Sequence, residues 1–381
     1  MPTGLISTYD LTQGTIVDID PAIRLLSPTE VPLQAGMGSD GNTVLATDTM
    51  NQKKKEWQDD EILTPRSILG AQATAGDLVI TVATGTRLRF STGEVVLLNT
   101  GEQARITGYG STADTLLVTR AYAGTTAAIQ AISTDIINLG GVLPEGSDPQ
   151  LNRSQDRTGR FNLTQIFGPT SVAVSGTEQA IAKYGVATTE FDYQLSLRDK
   201  EERIKLEQAL IYGVRFDDTG NEWRTMGGLN HFITVNVNST STDFATETAN
   251  NGSDAILDML ELIYNAGGDP NRMLLGSAQK RKVSAMQATS IRLGRMDVGR
   301  GQTVEYFDSD FSRVDFVLHR WVRSVHAFLF NRDQATVLTL RPFQFKMLGD
   351  TGDSMKGIIV GEKSLKFEAD RWAGKFTNLV P

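Results

Sequence analysis

Residues 189–213 read TEFDYQLSLRDKEERIKLEQALIYG, and the rest of the chain is arranged around them. Thr189 with Asp192 three residues on is an [ST]-x-x-[DE] helix start. No Gly or Pro follows until Gly213, which supplies a residue able to turn left-handed at the helix end. At 1.5 Å per residue such a rod is about 35 Å long. Its apolar residues gather at the two ends: Phe191, Tyr193, Leu195 and Leu197, then Ile204, Leu206, Leu210, Ile211 and Tyr212. Between them, every residue from Arg198 to Arg203 is charged, including Glu201 and Glu202. Asp199 with Arg203 and Glu201 with Lys205 stand at i,i+4, where ion pairs support an exposed helix. A helix anchored at both ends and wet in the middle bridges two packed regions. The plain alternative is an amphipathic surface helix of an ordinary domain.

The bulk composition narrows the classes. At 381 residues the chain has room for two or three domains with real cores. With 40% hydrophobic and 22% charged residues it sits near the globular average, and no apolar run is long enough to span a membrane. The opening MPTGLISTYDLTQGTIVDID has neither a basic start nor an apolar core, so no export signal is read, and synthesis and assembly in the cytoplasm are expected. The absence of cysteine removes disulfides, thiolate zinc sites and Cys nucleophiles, and only three histidines remain for metal or acid–base work. A net charge of −8 argues against gripping nucleic acid through the overall field, although an acidic wall beside DNA suits a container.

Taken in order, residues 1–45 carry Pro21, Pro28 and Pro32 among scattered glycines and read as an extended arm. Gly36, Gly38 and Gly41 form a GxGxxG, but no strand precedes it and no helix opens at it, so a dinucleotide site is rejected. Residues 44–62 are strand-like, with Lys53, Lys54 and Lys55 on one side of Trp57 and Asp59, Asp60 and Glu61 on the other. Identical copies could pair these blocks head to tail; a solvated ribbon of balanced charge is the alternative. From about 66 to 144, short β runs (77–82, 87–90, 94–99, 104–109, 115–122, 135–140) separated by turn residues indicate a small barrel or sandwich. Residues 151–163 then read as the return leg opposite 44–62, which makes the β module an insertion. Beyond the long helix come a strand and turn at 217–220 and the Gly227–Gly228 pair. An amphipathic helix follows over 254–266, with Ser253 as N-cap and Gly267–Gly268 as stop. A buried strand at 273–277 precedes a basic helix from Ser277 to Gln287, and from about 303 the chain is β-rich. The pattern is an α+β chain with interleaved domains.

No catalytic constellation stands out: HExxH, GxSxG, Walker and zinc-spaced patterns are all missing. His319, Ser324 and Asp315 could be drawn as a triad, but structural roles for His231, His319 and His326 are the simpler reading. Asp308 with Asp310 and Asp350 with Asp353 lack calcium-loop spacing, and turn chemistry accounts for them. The cationic stretch of Lys280, Arg281, Lys282, Arg292, Arg295 and Arg300 suits DNA, a neighbour's carboxylates or a plain solvated face. No catalytic residue, cofactor or metal site is expected.

Several stretches together resemble the major capsid proteins of tailed double-stranded-DNA bacteriophages with the Hong Kong 97 fold, in the subgroup with a β-barrel inserted in the extended loop. They are GTIVDIDPAIRLLSPTEVPL (14–33), the loop around Trp57, EVVLLN, ARITGY and LLVTRAYAGTTAA in the insert, the long helix with RTMGGLNHFI, and TGDSMKGIIVGEKSLKFEADRWAGKFTNL (351–379). The resemblance implies an N-terminal arm at 1–45 and an extended loop at 46–163 with the barrel at about 66–144. It implies a peripheral domain from 164–235 and 331–381 containing a spine helix at 189–213, and an axial domain at 236–330.

The function implied is a virion shell protein, not an enzyme, that self-assembles as hexamers and pentamers into an icosahedral head around double-stranded DNA, without sequence-specific binding. The implied partners are further copies of itself, a separate scaffolding protein, a portal and a decoration protein, with no membrane. Inter-subunit contacts are expected at Lys53, Lys54, Lys55, Trp57, Asp59, Asp60, Glu61, Arg198, Glu201 and Glu202. The rivals are an encapsulin-like bacterial compartment, a β-rich sugar-binding or adhesin module, and a hydrolase hidden around His319.

Overall fold

The computed structural model describes residues 25–35, 43–60, 62–142, 145–146, 157–168, 171–181, 183, 189–246, 248–285, 306–349 and 352–381. The chain divides into two units, one formed by Met1–Trp57 with Arg160–Pro381 and the other by Gln58–Gly159.

In the first unit the expected helix runs from Glu190 to Tyr212, and the Thr189 hydroxyl accepts the Asp192 N–H at 3.2 Å. Gly213 does not turn left-handed: its φ is −53° and ψ 142°. Glycine is needed there for space, because a Cβ would lie 2.5 Å from the Ala209 carbonyl oxygen and 2.6 Å from that of Met226. Phe191 is buried at one end of the helix and Leu206, Leu210 and Ile211 at the other. The middle is not uniformly wet, since Glu202 and Glu207 are buried as well.

The helix accompanies a five-stranded sheet. Its centre is a long antiparallel hairpin of Ala335–Met347 and Ser354–Phe367. Ala46–Thr49 adds parallel to one side, and Gln165–Phe167 with Ser171–Ser175 adds antiparallel to the other. Val337, Leu365 and Phe367 from this sheet share one core with Leu206, Leu210, Met226, Leu229 and Phe232. The Gly227–Gly228 turn is fixed by the Asn162 side chain, whose Oδ1 accepts the Gly227 N–H at 2.8 Å while its Nδ2 donates to the Gly227 carbonyl at 3.0 Å.

A six-stranded sheet in the order Asn236–Asn238, Gly374–Phe376, Ala327–Phe330, Arg272–Leu275, Arg313–Leu318, Tyr306–Asp308 carries the second core of this unit. The expected boundary assigns 374–376 to the peripheral strands. In the structure that strand lies in this other sheet, parallel to Asn236–Asn238 and antiparallel to Ala327–Leu329. The helix Gly252–Asn265 buries Ile256, Met259, Leu260 and Ile263 in the same core. Its cap differs from expectation: Asn251 occupies the N-cap and Ser253 is buried in the first turn. The Asn251 side chain instead accepts the Asp243 N–H at 2.8 Å, closing the polar loop before the helix. The stop is as read, with Gly267 at φ +90° and its N–H on the Tyr264 carbonyl. The basic helix spans Ser277–Ala285, and its expected end at Gln287 lies outside the described residues.

The second unit contains six short strands ordered Arg66–Ile68, Asp135–Gly141, Glu94–Leu98, Gln103–Tyr109, Thr115–Thr119, Val79–Thr81. The two ends of this order are themselves joined: Gly70 N–H donates to the Thr81 carbonyl and Ala83 N–H to that of Ile68, both at 2.9 Å. Inside lie Leu69, Ile80, Phe90, Val96, Leu98, Ile106, Leu116, Val118 and Ile136. Residues 87–90, expected as a strand, form a short 3-10 turn over Arg87–Arg89. The Thr86 hydroxyl bonds to the Ala83 carbonyl at 2.6 Å and tightens the chain, which drops Phe90 into the core. The strand Arg66–Ile68 has no counterpart in the sequence reading. Lys54–Asp59 and Thr158–Leu163 pair as a two-stranded ribbon, as the return-leg reading expects.

Candidate assembly surfaces

Along the ribbon strand, side chains alternate. Lys54, Glu56 and Gln58 are exposed, Lys55 and Asp59 are half-buried, and Trp57 is buried. Trp57 is only 7% exposed and its ring lies 5.8 Å from that of Phe232, so the indole anchors the ribbon in the chain's own core. Lys54 ion-pairs with Glu56 on the same strand and holds its ammonium 4.2 Å from the Phe161 ring centre. Arg215 places its guanidinium 3.9 Å from the same ring and donates to the Phe161 carbonyl at 2.7 Å. Asp60 faces Arg157 at 3.7 Å. Lys53 is exposed, and Glu61 lies outside the described residues. The two charge blocks of the loop are therefore partly matched within one chain.

On the long helix, Arg198 bonds Glu201 at 2.6 Å, Asp199 bonds Arg203 at 2.8 Å, and Lys205 bonds Glu202 at 2.6 Å. The expected Glu201–Lys205 pair gives way to two i,i+3 pairs: Glu201 takes Arg198, and Lys205, half-exposed, reaches the buried Glu202. Of the expected contact residues on this helix, Arg198 and Glu201 remain partly open to solvent.

Residues 30–34 are fastened beside this helix. Leu33 is buried, its N–H donates to the Glu207 carboxylate at 2.6 Å, and the Gln34 amide donates to the same group at 2.8 Å. His319 Nε2 lies 2.9 Å from Glu207, and both side chains are fully buried. The Trp321 N–H points at His319 Nδ1 at 3.2 Å, which makes that nitrogen the acceptor and places the proton on Nε2, facing the carboxylate. Trp321 also donates its indole N–H to the Glu30 carbonyl at 3.0 Å, and Arg320 faces the Glu30 carboxylate at 3.2 Å.

These contacts dispose of the triad drawn from sequence. His319 has both ring nitrogens engaged by Glu207 and the Trp321 N–H, and Asp315 pairs with Arg272 at 2.6 Å. Burial pushes His231 and His326 below the ordinary imidazole range, assisted by Arg215 near the first and Arg323 near the second. Among the described residues no group of His, Asp and Glu is placed to hold a metal ion, and no helix is long and apolar enough to cross a membrane. Lys282 of the basic helix bonds Asp243 at 2.9 Å and Lys280 sits 5.0 Å from the Phe316 ring centre, while Arg292, Arg295 and Arg300 lie outside the described residues.

One polar junction escaped the sequence reading. Glu362, buried in the long hairpin, accepts from Arg224 at 2.8 Å, Arg341 at 3.0 Å and Thr164 at 2.6 Å. Its partners come from three separate segments, and no local pattern announces them.

A family model described as SU10 major capsid protein matches residues 5–380. The chain belongs to the SU10 major capsid protein family. It is thus a structural protein of a tailed-phage virion, built to assemble with copies of itself into a shell. Solved structures share the mixed α/β fold over nearly its full length. The capsid of an empty GTA particle is 9% identical, with 98% of this chain and 100% of that one covered and a TM-score of 0.54. A Microbacterium phage Oxtober96 chain is 12% identical (97% and 98% covered, TM-score 0.50), and a Mycobacterium phage Bobi chain is 11% identical (99% and 98% covered, TM-score 0.50). Comparison with curated protein sequences finds no match. The buried His319–Glu207 pair fastens residues 30–34 to the long helix.

Proposed function

We propose that this capsid protein has the Hong Kong 97-like arrangement and closes, as hexamers and pentamers, into an icosahedral head enclosing double-stranded DNA. The family match over residues 5–380 carries the reading. In it, 1–45 is the arm, 46–163 the extended loop with its inserted barrel, 189–213 the spine helix within a peripheral domain, and 236–330 the axial domain, joined there by strand 374–376. The hydrogen bonds that join Arg66–Ile68 to Val79–Thr81 support the barrel. A separate scaffolding protein, a portal and a decoration protein are the further partners, assembly takes place in the host cytoplasm, and the chain's role is structural rather than catalytic.

Electron microscopy of the purified chain, with and without the scaffold encoded beside it, tests the reading. Closed angular shells or capsomer rings are expected, and monodisperse monomers in both preparations refute it. Within the shell, Lys53–Lys55 of one copy would set register against acidic groups of the next. Reversing those three charges should then lower shell yield and change its salt dependence, and an unchanged assembly curve rules the idea out.

A further inference from the structure

Immediately after the long helix, Phe216–Asp218 and Trp223–Thr225 form a two-stranded hairpin. Its register pairs Phe216 with Thr225 and Asp218 with Trp223, so these four side chains share one face, and Val214 continues it by the same alternation. Beside Asp218 and Thr225 that face carries an open apolar patch: Val214, Phe216 and Trp223 are 62%, 61% and 68% exposed. The opposite face is fixed. Arg224 reaches the buried Glu362 carboxylate at 2.8 Å. At the hairpin base, Thr225 bonds the Val214 carbonyl at 2.7 Å and Met226 N–H donates to Gln165 at 3.2 Å.

An isolated two-stranded hairpin is marginal in water, and this one is held rigid from behind while it presents two aromatics forward. A surface ordered in advance loses little conformational entropy on contact, and Trp and other aromatics are the side chains that dominate interfaces when covered. The charges beside the aromatics are Asp218 on the same face and Glu222 at the turn, while the neighbouring cations Arg215 and Arg224 are engaged elsewhere, on Phe161 and Glu362. A second copy offers the complement in its exposed Lys53. Copies with a net charge of −8 repel at long range, so a contact between them needs both an apolar anchor and local opposite charge.

We propose that the Val214–Phe216–Trp223 face of this hairpin is a contact between copies of the capsid protein, with Trp223 as its anchor. The inference rests on the shell reading above and names a surface that the loop and helix contacts do not include.

The test compares acrylamide quenching of tryptophan fluorescence in unassembled chain and purified shells, for the parent and for Trp223→Phe. The difference between the two proteins isolates Trp223. It should be quenched several-fold less in shells than in free chain. The double variant Phe216→Ser, Trp223→Ser should keep the parent's unfolding midpoint and lower the assembled fraction about ten-fold or more at equal concentration. Equal quenching in both states, shielding that appears only when another virion protein is added, or undiminished assembly of the double variant overturns the contact. If the parent itself never forms shells, the shell reading falls and the contact with it.

Discussion

Glu102 shows how a single buried carboxylate organises a loop. It accepts from Arg120 through two hydrogen bonds of 2.6 Å, from the N–H groups of Ala121 and Ala128, and from Gln130, while Arg120 also donates to the Thr74 and Ala128 carbonyls. Burial alone would raise the carboxyl pKa, but the Arg120 bonds and backbone donors outweigh it and hold the group at about 2, against an ordinary 4.5. A depressed carboxylate stabilises the fold at every pH above its unfolded value and loses that contribution as pH falls through the folded one. Stability supplied by Glu102 is therefore whole above pH 4.5 and declines toward pH 2. Glu102→Gln leaves Arg120 buried without its counter-charge and should cost about 3–5 kcal/mol at neutral pH. Chemical denaturation at pH 7 and pH 3 checks both points: the loss should be large at pH 7 and smaller at pH 3.

At the scale of the element, the long helix was legible because capping, uninterrupted propensity and clustered apolar ends all act within one segment. Which of its charges lie in water was not. Glu202 and Glu207 look like their exposed neighbours in sequence, and for Glu207 it is the packing of Leu33, Gln34 and His319 around the carboxylate that sets it apart. The helix should accordingly show two kinds of sensitivity. Replacing Asp199 and Arg203 together by Ala removes a half-exposed i,i+4 pair and should change stability by under about 1 kcal/mol. Leu210→Ala opens a cavity in a fully buried site and should cost about 2–5 kcal/mol. Thermal unfolding of the unassembled chain measures both, and comparable losses would contradict the assignment of the helix faces.

For the whole molecule, the decisive distinction is between side chains that hold one copy together and those left for its neighbours. Trp57, expected at a contact between copies, is packed on Phe232 within one chain. Trp57→Ala should thus destabilise the unassembled chain by about 3–5 kcal/mol, whereas a purely intersubunit residue would leave its unfolding midpoint unchanged. The exposed hairpin with Trp223 reverses the case: its aromatics sit in a stretch read only as a strand and a turn, and their accessibility emerges from the paired register and from Arg224 facing inward.

The sequence alone sufficed for the mixed architecture, the long helix with its Thr189 cap, a β-rich module between the two legs of the ribbon though not its full strand set, and the capsid family, because each depends on residues close together or on the order of segments along the chain. Tertiary structure alone decided where strand 374–376 pairs, why Gly213 must be glycine, which glutamates are buried, and that Trp57 belongs to the core and Trp223 to the surface. Those outcomes depend on approaches between segments far apart in the chain, and burial, unlike helical period or capping, has no local signature.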